Sequence, residues 1–279
     1  PATQLDLLEE KSLDGGSRCW TFSTTGRDML LDSIIEVNPN PCISHEIEGR
    51  MHHLKWWDSG GHQPNPERLQ AFQDDIERIA REHFALFGVP DWPDYTTVLH
   101  LTDTGRGGLE HMNSQTSMMP RSCLFPDHPD EYRDLVSLFS HEYLHQWNVK
   151  RLRPKSFLNY DLQSETHTDL LWWFEGATSW LGDMICVRSG AWSEEDWRLD
   201  FERKMKRHTS NNGMLRESLA ESSHDAWIHL YRSGPYTREN QISYYLEGEL
   251  ALMCLDTEMR RRNDHTFGAC DLMAELVRK

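Results

Sequence analysis

The feature that most limits what this chain can become is the pentapeptide His141-Glu142-Tyr143-Leu144-His145. It lies in a stretch, about 129–147, whose apolar residues Leu135, Leu138, Phe139 and Leu144 recur at helical spacing. On a helix, positions i and i+4 share a face, with Cβ atoms roughly 5–6 Å apart. The two imidazoles therefore stand side by side, which suits two ligands of one Zn²⁺ at about 2.0–2.1 Å each. Glu142 flanks that face, placed to serve water as a general base. Two histidines on a helix are more often solvated or simply packed. Here the helix is core-facing, where unpaired imidazoles need partners, and the metal reading leads.

A catalytic zinc keeps three protein ligands and one open position, so another element must supply the third. Glu175, in Leu171-Trp172-Trp173-Phe174-Glu175-Gly176, is an acid at the centre of an apolar helical segment. Burying it is costly unless it is paired or bound to metal. The alternative, an exposed acid on an amphipathic face, is disfavoured by the flanking tryptophans and phenylalanine.

Around this motif the chain changes character. To about residue 40 it is turn-rich with short β-like pieces. Asn65 caps and Pro66 opens a helix carrying Leu69, Phe72, Ile76, Ile79 and Phe87, which Gly88 and Pro90 end. Tyr95 to Leu101 reads as a strand, and Gly105 to Gly108 as a glycine-rich turn or bulge. Helices are expected over 129–147 and 169–188, then from the Ser193/Asp196 capping box to about His208. A last long helix runs from near Ser243 past Met259. Strands first and helices later predict an α+β domain.

Composition excludes several classes. Basic residues number 29 against 45 acidic, a net charge of −16. That argues against nucleic-acid partners, whose phosphates demand a basic face, and against anionic membrane surfaces. No apolar run reaches the roughly 18–20 residues of a membrane span. An acidic surface tolerates cationic ligands such as a free peptide amine. The 6 cysteines are scattered without a C-x-x-C pair and read as buried thiols in a reducing compartment. Residues 1–11 carry acids and no apolar block, so no signal peptide is visible and a cytoplasmic location is expected. His45 and His52-His53 are read as isolated and exposed, and Arg260-Arg261-Arg262 as complementing a helix C-terminus.

His141-Glu142-Tyr143-Leu144-His145-Gln146-Trp147 followed by Glu175-Gly176 resembles the gluzincin metallopeptidases. The nearest likeness is to the glycyl-aminopeptidase family, whose members often carry a PDZ domain. Four further stretches fit it: Gly107 to Ser114 (GGLEHMNS), Asn148 to Pro154 (NVKRLRP), Asp225 to Ile228 (DAWI), and Ile242 to Gly248 (ISYYLEG). The likeness runs from roughly residue 32 to the C-terminus. It implies a thermolysin-like zincin domain at 28–279, with 1–27 a remnant or variant N-terminal segment. The family's large N-terminal β domain and C-terminal PDZ domain have no counterpart here, so the chain is read as an isolated catalytic portion or a short variant.

The resemblance also implies roles. His141, His145 and Glu175 would hold Zn²⁺, and Glu142 would activate the water. Glu110, with Gly107 and Gly108 before it, would bind the substrate's free α-amine. Tyr245 would stabilise the oxyanion, with Tyr244 as the alternative facing residue. The expected activity is an aminopeptidase removing small N-terminal residues, glycine or alanine, from peptides. Two departures bear on activity. Ser179 stands where many relatives have an aspartate steadying a zinc histidine, and Glu247 where the family usually has a lysine. Two other functions compete: a zinc endopeptidase, and a zinc-bearing interaction protein that has lost activity.

Overall fold

A computed structural model describes residues 1–159 and 161–278. The chain starts with an antiparallel ribbon, β1 (Asp6–Ser12) and β2 (Arg18–Ser23), and a short helix α1 (Arg27–Leu31). The main sheet begins with the hairpin of β3 (Cys42–Ile47) and β4 (Arg50–Asp58). Its two-residue turn, Glu48-Gly49, has φ of 50° and 76°, as a type I′ turn requires. Helix α2 (Pro66–Phe87) starts where Asn65 accepts the Arg68 N–H, and stops at Gly88 with φ 89°. It carries the chain over to β5 (Asp94–Thr102), which lies parallel to β4.

β6 (Gly107–Glu110) and β7 (Ser114–Pro120) complete the five-stranded order β3-β4-β5-β7-β6. β5 and β7 are parallel, β7 and β6 antiparallel. Gly107 and Gly108, expected in a turn or bulge, instead lie in the edge strand. Period-2 alternation decides which side chains meet the helices: Leu54 and Trp56 of β4, and Tyr95, Leu99 and Leu101 of β5. They pack with Ile76 and Ile79 of α2 and with Leu135 and Phe139 of α3 (Pro129–Leu144).

α3 ends at Leu144 rather than at Trp147. Beyond it the Nδ1–H of His145 donates to the Asn148 carbonyl at 2.8 Å, folding the chain back. The core-facing side of α3 is held by Tyr143, fully buried among His52, His83, Phe84 and Tyr95. The His52 Nδ1–H donates to the Arg50 carbonyl, leaving Nε2 to accept from the Tyr143 hydroxyl at 2.8 Å. His52 is therefore 2% exposed, not the exposed residue expected; the aromatic cluster is long-range in sequence. The side chain between the two motif histidines thus fixes the rotation of α3.

The rest is helical. A π-turn, Trp172–Ala177, runs into α4 (Thr178–Arg188). α5 (Glu194–Thr209) opens with the Ser193/Asp196 capping box. Then come α6 (Leu219–His224), α7 (Thr237–Asn240), α8 (Tyr244–Arg262) and α9 (Ala269–Arg278). α9 was not anticipated. Asp256 accepts its first N–H at 2.6 Å, and Cys270 and Met273 join the core. The cysteines divide: Cys123, Cys186 and Cys270 are buried, but Cys19, Cys42 and Cys254 are exposed, and all six are free thiols. The exposed ones lie on solvent-facing positions of the β2 and β3 strands and α8. Among the described residues no helix is long and apolar enough to cross a membrane.

Two histidines make this core acid-sensitive. Burial pushes His52 and His83 down to about 4, with only one backbone acceptor each opposing it. Their folded values lie below the unfolded value near 6.5. Stability is therefore complete above about pH 6.5 and is lost as pH falls towards 4. Each imidazole accounts for about 3 kcal/mol at pH 4. Urea midpoints at pH 7, 5.5 and 4.5 should fall steeply, and less so in His83→Leu; equal slopes in both proteins would contradict this.

Candidate metal centre

With Tyr143 and Leu144 turned into the core, His141, Glu142 and His145 occupy the opposite side of α3. Glu175 reaches them from the π-turn. There each turn holds one residue more than in an α-helix, a local form often found at functional sites. Glu175 Oε2 lies 3.0 Å from His141 Nε2 and 3.3 Å from His145 Nε2, and the two nitrogens are 3.1 Å apart. Donor atoms at 2.0–2.1 Å from one tetrahedral ion would be separated by roughly 3.3 Å. The observed triangle is close to that size.

Because the His145 Nδ1–H donates to the Asn148 carbonyl, Nε2 is the ring nitrogen turned toward the centre, the atom a metal would take in place of a proton. The Asn148 side chain in turn donates to Thr178 Oγ1 at 3.0 Å, tying this turn to the helix that follows Glu175. His141 Nδ1 faces Ser179 Oγ at 3.3 Å, a long contact to a neutral acceptor. Three carboxylates surround the imidazoles: the ligand atoms of His141, His145 and Glu175 form one group within 4.8 Å, and those of Glu110, Glu142 and His145 another. Burial opposes charge on His145, yet Glu175, Glu110 and Glu142 raise it to about 10. Burial, with Glu110 and Glu175 nearby, pushes Glu142 up to about 8. Its Oε2 is buried without a hydrogen-bond partner. A site of this sign and donor set fits a divalent cation.

Glycines set the distances. A Cβ on Gly108 would collide with the Glu142 carboxylate. The glycine in the edge strand is therefore what lets Glu142 lie against β6. A Cβ on Gly176 would strike the Gly248 backbone, and one on Gly248 would come within 2.5 Å of the Trp172 carbonyl oxygen. The π-turn and α8 cross at this pair, backbone against backbone. The crossing brings Tyr245 beside His141, ring centroids 6.1 Å apart, while Tyr244 is buried at 1% exposure. Glu247, one residue before Gly248, turns away to pair with His208 at 2.8 Å.

Two cavities open beside the centre. One of about 830 Å³ is bounded by Glu110, Met29, Met112, Phe157 and Trp227. The other, about 580 Å³, is bounded by Gly107, Gly108, His141, Glu142 and Tyr245 on one side and by α5 on the other. The eight site residues singled out by the sequence either belong to the donor cluster or line one of these two cavities. Sequence reading expected α5 as a charged amphipathic helix but missed that its charged face borders the site, and it missed the role of Asn148. A run of charges at Asp200, Arg203, Lys204 and Arg207 was the available signal for the first.

An α+β fold in which two histidines of one helix and a glutamate of the next converge beside an unpaired carboxylate defines a candidate metallopeptidase centre. Residues 134–251 match the family model described as M61 glycyl aminopeptidase, bearing out the likeness read from the motifs. An aminopeptidase N family protein from Idiomarina loihiensis has a similar structure, with a TM-score of 0.87 and 31% identity over 99% of this chain. The chain spans 46% of that protein's length. No curated protein matches the sequence.

Glu175→Ala should remove most bound divalent metal, measured by elemental analysis after dialysis; unchanged stoichiometry would reject it as a ligand. Ser179→Asp should raise zinc affinity about tenfold in a chelator competition, because an anionic acceptor orients His141 better than a hydroxyl. Gly248→Ala should lower zinc affinity and Tm together, since it forces α8 away from the π-turn.

Proposed function

We propose that this chain is a zinc-dependent aminopeptidase with a thermolysin-like catalytic core. His141, His145 and Glu175 would hold the ion, which when bound supplies Lewis acidity toward the scissile carbonyl and toward water. Glu142 accepts the proton of the attacking water and delivers it to the leaving amine. Its carboxylate suits this task, being buried beside the histidines and lacking a hydrogen-bond partner. Tyr245 donates its phenolic O–H to the developing oxyanion. The edge strand offers the backbone of Gly107 and Gly108 to an extended peptide, with no side chain at either position to hold it off.

The position of Glu110 carries the exopeptidase reading. Its carboxylate lies within 4.8 Å of the Glu142 and His145 ligand atoms. In an amino-terminal residue the α-nitrogen and its own carbonyl carbon are roughly 2.5 Å apart. An ammonium held by Glu110 therefore sets that first carbonyl at the metal centre and no later one. The preference for glycine or alanine is supported by the family likeness.

The cavity of about 830 Å³ beyond Glu110 favours a second reading, an endopeptidase whose substrate continues past that carboxylate. Hydrolysis of matched free and N-acetylated peptides separates the two. The free peptide should be cleaved at least a hundredfold faster, and Glu110→Ala should erase most of that ratio; equal rates in the unaltered protein would remove Glu110 from its role. Glu142→Gln should abolish turnover while retaining metal, and no turnover in either protein would favour an inactive zinc-bearing interaction protein.

A further inference from the structure

The cavity on the α5 side of the centre has an unusual wall. Asp200, Arg203, Lys204 and Arg207 are spaced i, i+3, i+4 and i+7, so one face of α5 presents all four to it. Three of them are neutralised in place. Lys204 binds Asp183, Asp200 at 2.8 Å and Glu249 at 2.6 Å. Arg203 binds Asp200 and, at 3.0 Å, Asp134, which also holds Arg106 at 2.9 Å. Arg207 has no carboxylate partner among the described residues. Its neighbours Lys206 and His208 share the last turn of α5, where cations suit the helix dipole. Of these three residues, only Arg207 lines the cavity.

The side of the cleft on which it stands follows from the edge strand. Glu110 bounds the other cavity; Gly107 and Gly108 bound this one. A peptide with its amine at Glu110 and its backbone along β6 crosses the centre toward Gly107. Whatever follows the scissile bond enters the cavity that Arg207 faces. We propose that Arg207 binds a carboxylate on the leaving-group side of the substrate. That carboxylate is either the C-terminus of a short peptide or an acidic side chain there. A guanidinium is the fitting group, since its fork matches a carboxylate bidentately. The inference rests on the aminopeptidase reading for direction, and its test keeps the two apart.

The test measures binding to the metal-loaded Glu142→Gln protein by calorimetry, and turnover by the unaltered protein. The peptide pairs are Ala-Ala against Ala-Ala amide, and Ala-Glu amide against Ala-Gln amide. At least one acid should bind about tenfold tighter than its partner, and the advantage should shrink in high salt. It should fall to near unity when Arg207→Gln is added, with the Tm unchanged. The first pair reports a C-terminal carboxylate, the second an acidic side chain. Equal affinities in both pairs, or a preference that survives Arg207→Gln, would overturn the assignment. Binding with a carboxylate preference but no turnover would instead sink the aminopeptidase reading and leave this inference standing. Turnover indifferent to both acids would do the reverse.

Discussion

The centre of this protein is organised by a cluster of buried acids that demands positive charge. Two imidazole nitrogens and a carboxylate oxygen face one another at 3.0–3.3 Å, with two further carboxylates alongside. Left without positive charge, such a set would cost several kcal/mol of desolvation and repulsion. The surrounding fold spends much of its packing on keeping the donors together. Tyr143 anchors α3 through His52, Asn148 links the end of α3 to α4, and the Gly176–Gly248 contact clamps α8 against the π-turn. Each restraint has a residue within three positions of a donor.

Much of the site was legible because its signals are local. Two histidines at i and i+4 must share a helical face, and an acid amid tryptophans must have a reason to be there. Helix α2 could be read to the residue, since Asn65, Pro66 and Gly88 punctuate it by backbone chemistry alone. The α+β order could be read too. What stayed hidden depends on distant partners. His52 looks like a solvent-facing histidine until Tyr143 covers it from 91 residues away. Gly107 and Gly108 look like a turn because nothing nearby says that Glu142 needs the space a Cβ would take. α9 was passed over although Met273 and Val277 are at helical spacing, because its cap, Asp256, belongs to the preceding helix.

The charged layer between α3, α4, α5 and α8 is a second organising element. Lys204 and Arg203 draw in acids from α3, α4 and α8. Their mutual satisfaction makes this wall of the cleft stiff, and it explains how a strongly acidic chain keeps basic groups at its working surface. The α5 side of the cleft is thus a braced rim, its basic groups held in place by acids from three other helices.

The π-turn at Trp172–Ala177 has a consequence for how such a site tolerates change. An additional residue within a helical turn is an angular offset, about 100° for everything that follows it. The rotation that aims Glu175 at the histidines is the same rotation that sets Thr178, Ser179 and Gly182 against α3. Shortening the turn by a single codon would replace its i→i+5 hydrogen bonds with α-helical ones while swinging the ligand and its whole supporting face out of phase. The ligand set is therefore encoded in a count as much as in side chains.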